Sequence, residues 1–223
     1  MSRAQETELE TEPENVSRPG LLFVVSSPSG GGKGTLIKRL LDVQPDLSYS
    51  VSYTTRVPRN GEQNGREYHF VDRKIFEEMI SAGEFLEWAC VHGNYYGTAK
   101  KQVAEETAAG VDLVLEVDVQ GAASVRELRL GAISIFIVPP SFETLRQRLT
   151  ARGTDTPEQL ALRLRNAPSE LNQYRDFDYV IINNNLDDAA AQLASIVSAE
   201  RARCKRQKAN VEKIIEEFKT NQQ

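Results

Sequence analysis

The sequence contains little of what redox, nucleophilic and metal sites most often use: two cysteines and two histidines among 223 residues. Cys90 and Cys204 cannot form a disulfide framework, and so low a count fits a reducing compartment, so we expect a cytoplasmic protein. Cys90 stands in an apolar stretch, which predicts a buried, inert thiol. His69 and His92 have no partners at metal-binding spacing, so we expect structural roles for both.

Long apolar runs and an excess of positive charge are also absent. No run approaches the ~18 residues of a membrane span, and the first residues lack the apolar region of a secretory signal, so we expect neither membrane insertion nor export. The 27 basic residues against 32 acidic ones give a formal net charge of −5, which argues against a nucleic-acid-binding protein. Apolar residues make up 40% of the chain, as in ordinary globular proteins, and the length predicts one domain with additions.

Charge is unevenly distributed along the chain. Residues 1–20 contain five glutamates and two arginines but hardly any apolar side chain, which predicts a disordered acidic leader. Residues 200–223 contain seven basic and four acidic residues, and we interpret the basic stretch at 201–208 as a solvated face. A last helix is expected from about residue 187, with apolar positions as far as Phe218. These positions pack either on their own domain or on a partner, so the sequence leaves a homo-oligomer open.

Short apolar runs alternate with helical patterns over most of the chain, and each run predicts a buried strand. The runs lie at 21–25, 111–117, 133–138 and, shorter, at 180–182. Strands that alternate with helices predict an α/β fold, in which a parallel sheet is flanked by helices on both faces. The predicted core comprises residues 21–50, 99–140 and 167–223.

Two segments interrupt this pattern. Residues 51–98 are rich in Thr, Tyr, Arg and Gly, which predicts a small mixed or antiparallel insertion with one helix at 72–82. Residues 141–166 are helical and rich in arginine. A helix is expected to start after Thr156, because Pro157 suits the first helical position and Gln159 completes a capping box.

The strongest motif is the string Ser-Ser-Pro-Ser-Gly-Gly-Gly-Lys-Gly-Thr at residues 26–35, between a predicted strand and a predicted helix. That context is what a P-loop requires, because glycines let backbone N–H groups face an anion and the helix N-terminus adds partial positive charge. Lys33 is placed to reach the outer phosphates. The residues assigned to nucleotide binding, and to ATP once the resemblance below is added, are Ser27, Pro28, Ser29, Gly30, Gly31, Gly32, Lys33, Gly34 and Thr35. A P-loop alone leaves an ATPase, a GTPase and a small-molecule kinase open.

This phosphate loop (residues 27–35) departs from the usual P-loop pattern twice. Ser27 stands where the pattern has glycine, and Gly34 stands where it has serine or threonine, with Thr35 one position later. The hydroxyl that usually contacts Mg²⁺ is therefore missing or displaced. We expect Mg²⁺, entering as MgATP, to be held mainly by phosphates and waters.

The insertion carries two further strings, Thr-Thr-Arg-Val-Pro-Arg at 54–59 and Gly-Asn-Tyr-Tyr-Gly-Thr at 93–98. With the phosphate loop, they make the chain resemble the guanylate kinases of the bacterial catalytic type, from about residue 21 to 186. The resemblance implies a P-loop nucleoside monophosphate kinase fold in which residues 51–98 bind GMP and residues 141–166 form a lid. It also implies the reaction ATP + GMP → ADP + GDP by in-line phosphoryl transfer, in purine metabolism and GMP recycling.

The resemblance assigns the phosphate of GMP to two arginines and two tyrosines. These are Arg56, Arg59, Tyr68 and Tyr96. The chemistry supports the arginines independently, because two guanidinium forks held close together by the intervening proline suit a phosphate dianion.

The same resemblance assigns guanine recognition to Glu87, with Ser52 and Thr98 donating to guanine O6. An ionised carboxylate only accepts hydrogen bonds. Guanine offers N1–H and N2–H₂ side by side, whereas adenine lacks N1–H and would leave the carboxylate unpaired. Asp118 matches an acid near the guanine amino group and the Mg²⁺ waters. Glu116 stands where relatives often have aspartate, and it acts either near the metal or only as a strand-capping acid.

The segment 141–166 contains five arginines and no lysine, which favours bidentate contacts with oxyanions. Arg148, Arg152 and Arg163 match lid arginines that contact the phosphates being exchanged, whereas Arg146 and Arg165 are expected on the surface. The predicted catalytic residues are Lys33, Arg56, Arg148, Arg152 and Arg163.

Two other functions stay open. One is a guanylate-kinase-like binding module that holds peptides without turnover, but the presence of Lys33 and the lid arginines favours an enzyme. The other is a related kinase with a different acceptor, such as another nucleotide or a ribose bisphosphate. Glu87 together with Ser52 and Thr98 favours guanine.

Overall fold

The computed structural model describes residues 18–91, 93–151, 153 and 156–221. Most of the predicted leader, His92 and Arg152 lie outside these residues. The strands are β1 (Leu22–Ser26), β2 (Leu47–Tyr49), β3 (Tyr53–Thr54), β4 (His69–Phe70), β5 (Phe85–Val91), β6 (Asn94–Ala99), β7 (Asp112–Glu116), β8 (Ile133–Val138) and β9 (Tyr179–Ile182). The helices are α1 (Lys33–Val43), α2 (Arg73–Ser81), α3 (Lys100–Ala108), α4 (Val119–Glu127), α5 (Phe142–Ala151), α6 (Pro157–Leu171), α7 (Leu186–Ala202) and α8 (Cys204–Thr220), with a 3₁₀ turn at Asn172–Asp176.

Five parallel strands form the central sheet, in the order β2-β7-β1-β8-β9. β1 lies in the middle, and all its residues are buried because helices cover both faces of the sheet. Phe23 and Val25 pack in a cluster with α1 and α7, whereas Leu22 and Val24 pack with α3 and α4. The predicted α/β fold with a parallel sheet is therefore confirmed.

The inserted segment (residues 51–98) forms a second sheet, in the order β4-β3-β6-β5. β3 pairs parallel with β4 and antiparallel with β6, and β6 pairs antiparallel with β5, so the sheet is mixed. Helix α2 covers it with Phe76, whose ring stacks on Phe85 at 4.4 Å between centroids. β5 packs in turn against α4, which brings the second sheet to the edge of the core.

Several predicted helix ends are confirmed. The Asp72 side chain caps α2 by accepting a hydrogen bond from the Ile75 N–H. Both bonds of the capping box between Thr156 and Gln159 are present at the start of α6. The predicted last helix is broken at Arg203 into α7 and α8. In the part of the chain that the structure describes, no helix is both long and apolar enough to cross a membrane.

The prediction of a solvated face at residues 201–208 is wrong for two of its arginines. Arg201 Nε lies 2.6 Å from Asp112 Oδ2, and Arg206 lies 3.9 Å from the other oxygen of that buried carboxylate. Asp112 Oδ1 also accepts the Leu21 N–H at 2.7 Å. The arginines are drawn inward because Asp112, at the start of β7, needs counter-charges once it is buried.

The prediction of a buried Cys90 is also wrong, since this thiol is exposed. Side chains alternate between the two faces of β5, so Glu87 and Ala89 point inward while Trp88 and Cys90 are exposed. The apolar character of the stretch did not reveal which face Cys90 occupies.

Candidate active site

A cavity of about 750 Å³ lies where the carboxyl ends of the central strands meet the inserted segment and α6. Thr98 and Arg148 do not line the cavity but bond to residues that do, Thr98 to Glu87 and Arg148 to Gly31. Arg152 lies outside the described residues. The predicted site residues that line the cavity are Ser27, Pro28, Ser29, Gly30, Gly31, Gly32, Lys33, Gly34, Thr35, Ser52, Arg56, Arg59, Tyr68, Glu87, Tyr96, Glu116, Asp118 and Arg163.

The phosphate loop connects β1 to α1 and needs glycine at its last turn. Gly32 has φ of 94°, and a Cβ there would lie 2.3 Å from Nδ2 of Asn183, so both backbone and space require glycine. Gly32 is also the N-cap of α1, and no side chain of the described residues caps this helix. The first N–H groups of α1 therefore face the cavity without a capping acceptor, as an anion site requires.

The buried Asn183 holds the phosphate loop by a hydrogen bond to its backbone. It is 2% exposed, and its Nδ2 donates to the Gly31 carbonyl at 3.0 Å. Arg148 donates to the Asn183 carbonyl at 3.0 Å and, at 3.4 Å, to the same Gly31 carbonyl. Arg148, predicted to contact phosphates, thus bonds to the backbone of the phosphate loop and of Asn183.

Lys33 points to the end of β7, where its Nζ lies 3.3 Å from Oε1 of Glu116. The Tyr49 hydroxyl donates to the other Glu116 oxygen at 3.3 Å. Burial, and then the negative charge of Glu116, raises the pKa of Tyr49 far above its ordinary value, so the phenol keeps its proton. Glu116 therefore has partners on both oxygens beside the phosphate loop.

Arg56 lies beside tyrosine rings of the inserted segment, and the group Arg56, Arg59, Tyr68 and Tyr96 is called the Arg56 corner below. Its guanidinium sits 5.5 Å from the centre of the Tyr68 ring, and Tyr68 meets Tyr96 edge-on at 5.8 Å. Glu62 clamps the turn, accepting from Arg56 Nη2 at 2.9 Å and from the Arg59 N–H at 2.7 Å. Burial raises the pKa of Tyr68, so this phenol is also a neutral donor. The corner thus presents guanidinium and phenol donors to one wall of the cavity.

Glu87 projects from β5 into the cavity and is only 7% exposed. The buried Thr98 hydroxyl donates to its Oε1 at 2.6 Å, and Ser52 lies 3.4 Å from Thr98. Burial raises the pKa of Glu87 to about 7, although the Thr98 bond lowers it. Thr98 has one proton and gives it to Glu87 here, so its predicted donation to guanine O6 would require that bond to be exchanged.

Asp118 begins α4 and caps it, accepting the Gly121 N–H at 2.9 Å. Its position just after β7 places it between the phosphate loop and the inserted segment in the cavity lining. The nearby charge of Asp118 contributes to the raised pKa of Glu87, so the two predicted guanine-reading acids lie close together.

Helix α6 brings one arginine and one glutamate to the phosphate loop. Arg163 donates to the Ser29 hydroxyl at 2.7 Å, and Oε2 of Glu170 accepts the Ser29 N–H at 3.2 Å. Burial raises the pKa of Glu170. Arg146 and Arg165 are exposed, as predicted, and Arg146 pairs with Glu143 on the surface.

Four side chains beyond the predicted site residues hold this site in place. Tyr49, Glu62, Asn183 and Glu170 each bond to a predicted residue or to the phosphate loop. Glu62 had a local signal, because it follows the arginine string by three residues on the same turn. Asn183 had a weaker one, because the asparagine pair at 183–184 resembles the family's adenine-side loop. Tyr49 and Glu170 are distant in sequence from the residues they contact, and no local pattern indicates them.

Comparisons with known proteins agree with this geometry. The family model for guanylate kinase matches residues 20–200. The chain is 54% identical over 180 residues to the guanylate kinase of Dechloromonas aromatica, covering 81% of this chain and 89% of that protein. It is 51% identical over 184 residues to the guanylate kinase of Symbiobacterium thermophilum, covering 82% and 87%.

A solved structure shows the same architecture. The crystal structure of guanylate kinase from Anaplasma phagocytophilum superposes with a TM-score of 0.71 at 36% identity, covering 84% of this chain and 89% of that chain. The central parallel sheet, the mixed-sheet insertion and the phosphate loop are those of a P-loop nucleoside monophosphate kinase. From the family match and these relatives, the chain belongs to the guanylate kinase family.

Proposed function

We propose that this protein transfers the γ-phosphoryl group of ATP to the phosphate of GMP, giving ADP and GDP in purine metabolism and GMP recycling. The observation that carries the proposal is one cavity lined both by the phosphate loop and by Glu87 with the Arg56 corner. A triphosphate held at one wall and a purine monophosphate at the other can be aligned for direct transfer.

The reaction needs no general base in this site. An oxygen of the GMP phosphate is already ionised near neutral pH and forms a new bond to the γ-phosphorus as the bond to the β,γ-bridging oxygen breaks. Catalysis then depends on alignment and on neutralising the phosphate charge. Our assignment gives the donor phosphates to Lys33 and the lid arginines Arg148, Arg152 and Arg163.

The acceptor is assigned to the inserted segment. The Arg56 and Arg59 guanidinium groups, with the phenols of Tyr68 and Tyr96, would bind the GMP phosphate, since all four are donors on one wall. Glu87 would accept from the guanine N1–H and N2–H₂. Thr98, Ser52 and the neighbouring Asp118 would complete the guanine pocket around Glu87.

The acidic residues near the phosphate loop suit Mg²⁺ that enters as MgATP, rather than an ion coordinated mainly by protein side chains. Glu116 lies beside Lys33, and a Cβ at Gly34 would be 3.5 Å from its carboxylate oxygens, so this acid faces the position where other P-loops have a hydroxyl. Among the described residues no group of three or more His, Cys, Asp or Glu could hold a metal. Phosphates and waters would supply most ligands, with Glu116 and Asp118 nearby, and the ion would offset phosphate charge.

Three further assignments belong to this proposal. Residues 51–98 form the GMP-binding segment, residues 141–166 form the lid, and residues 21–50, 99–140 and 167–223 form the core. We place the enzyme in the cytoplasm, because both cysteines are free, exposed thiols, which suits a reducing compartment.

A coupled ADP-release assay with GMP, AMP, UMP and a ribose bisphosphate as acceptors tests the proposal. We expect turnover with GMP far above the other three, and nearly none in the Lys33→Ala variant, whose circular dichroism should match the wild type. Turnover with none of the acceptors would indicate a binding module. Preference for another acceptor would indicate a different kinase of the same fold.

A further inference from the structure

Helix α4 carries a glycine, Gly121, within its first turn, where helix propensity disfavours it. Glycine inside a helix is about 1 kcal/mol less favourable than alanine. The backbone does not require it, because Gly121 is right-handed helix and is not among the glycines with positive φ. Another physical reason must therefore account for glycine at this position.

The reason is the space occupied by Glu87. A Cβ placed on Gly121 would lie 2.6 Å from Oε2 of Glu87 and 3.2 Å from its Cδ, and it would also lie 3.1 Å from Cβ of the buried Val117. Glu87 reaches this space from β5, which packs against α4, and its other oxygen is held by Thr98 at 2.6 Å. The carboxylate is thus confined between the Thr98 hydroxyl on one side and the bare Cα of Gly121 on the other.

Gly121 also holds the second acid of the pocket. Its backbone N–H donates to Oδ1 of Asp118 at 2.9 Å. One residue therefore touches both carboxylates assigned to guanine: its amide fixes Asp118, and its missing side chain admits Glu87.

We propose that Gly121 is a positioning residue for guanine specificity, which sets the location of the Glu87 carboxylate by leaving it room against α4. This inference rests on the proposed function, in which Glu87 accepts hydrogen bonds from guanine. Gly121 contacts no substrate atom itself and acts through the two acids.

The substitution Gly121→Ala has different expected effects on stability and on function. The atom that an added Cβ would meet first is the end of a flexible side chain, so the carboxylate takes most of the displacement, and Val117 must give way by a few tenths of an ångström. Alanine also favours the helix. The tight contact with Val117 opposes this gain, so the melting temperature should change little, while displacement of the carboxylate breaks its paired contact with guanine. Misplacement by about 1 Å in a site can reduce rates by ~10²-fold.

The test compares wild type, Gly121→Ala, Glu87→Gln and the double variant. We expect Gly121→Ala to raise KM for GMP roughly tenfold or more, to leave KM for ATP within about twofold, and to lower the preference for GMP over AMP. In the Glu87→Gln background the same change should have little further effect, because the two residues act through one contact. Glu127→Ala, at the exposed far end of α4, controls for altered helix stability and should change neither constant.

Three results would overturn the proposal. They are an unchanged KM for GMP in Gly121→Ala, fully additive effects in the double variant, and a lowered melting temperature with a matching rise in KM for ATP. If Glu87→Gln itself leaves GMP selectivity unchanged, the guanine role of Glu87 fails and this inference fails with it. A disabled Glu87→Gln beside a normal Gly121→Ala refutes only the role of Gly121. A crystal structure of Gly121→Ala should show the bond between Glu87 and Thr98 lengthened or broken.

Discussion

Glu87 is nearly fully buried, although an ionised carboxylate is among the least favourable groups to bury. Thr98 supplies one hydrogen bond, at 2.6 Å, and the edge of a guanine would supply two more donors. Adenine would supply no N1–H and would leave the acceptor unpaired. At the scale of the single residue, the proposed guanine contact would therefore give specificity through the requirement that a buried acceptor be satisfied.

Replacing Glu87 with glutamine keeps the shape of the side chain but puts an NH₂ donor where guanine also presents donors. We expect kcat/KM for GMP to fall by ~10²-fold, equivalent to about 3 kcal/mol, with KM for ATP little changed. Glu84→Gln, an exposed glutamate just before the same strand, is the matched control. Steady-state kinetics with GMP and AMP measure kcat/KM for each acceptor. An unaltered preference for GMP would remove Glu87 from the guanine site.

The pH dependence of GMP binding should reveal the same carboxylate. Burial raises the pKa of Glu87 to about 7, so the group is protonated below that pH, whereas the proposed contact with guanine requires the ionised form. GMP binding should therefore release a proton, and affinity should fall with decreasing pH, approaching about tenfold per unit well below pH 7.

Calorimetric titration with GMP at several pH values, in buffers of different ionisation enthalpy, measures both the affinity and the number of protons released. The Glu87→Gln variant is the control, because it keeps the titration of the GMP phosphate but lacks this carboxyl. Identical pH profiles in the two proteins would show that Glu87 does not titrate on binding.

At the scale of the elements, one buried acid joins three separate parts of the chain. Asp112 begins β7, accepts the Leu21 N–H before β1, and pairs with Arg201 on α7 and Arg206 on α8. Removal of Asp112 would leave two largely buried guanidinium groups without their counter-charge.

We expect Asp112→Ala to lower the free energy of unfolding by about 3 kcal/mol. The control Glu77→Ala breaks the exposed pair with Arg73 on α2 and should cost less than about 1 kcal/mol. Urea denaturation followed by circular dichroism measures both changes. Equal, small effects in the two variants would mean that Asp112 contributes no more than a surface pair.

The elements also show what the sequence could predict. The buried strands were predictable because parallel strands covered on both faces are continuous apolar runs. β2 was not, since Leu47–Tyr49 is only three residues long. The phosphate loop and Glu87 lie in local strings and could be found, whereas Asn183 bonds to Gly31 across 152 positions and Glu170 to Ser29 across 141. Contacts of that separation arise only from the folded sheet.

At the scale of the whole molecule, an acidic protein must bind two polyanions. The formal net charge is −5, and ATP and GMP together bring about six negative charges. Two cations of the site have acidic partners within the protein: Lys33 pairs with Glu116 at 3.3 Å, and Arg56 pairs with Glu62 at 2.9 Å. Arg163 bonds to Ser29 on the phosphate loop. Substrate phosphates must therefore displace or join these partners.

Arg148 and Arg163 already bond to the phosphate loop, so neutralising both substrates at once requires the Arg56 corner to approach that loop. We therefore expect the inserted segment to close on the core when both nucleotides bind. Small-angle X-ray scattering of the full chain should show a smaller radius of gyration with a bisubstrate analogue than without ligand. GMP alone engages only the inserted segment and should give a smaller decrease, which serves as the control. An unchanged radius with the bisubstrate analogue would contradict closure, and the charge would then have to be offset by Mg²⁺ and solvent around a static site.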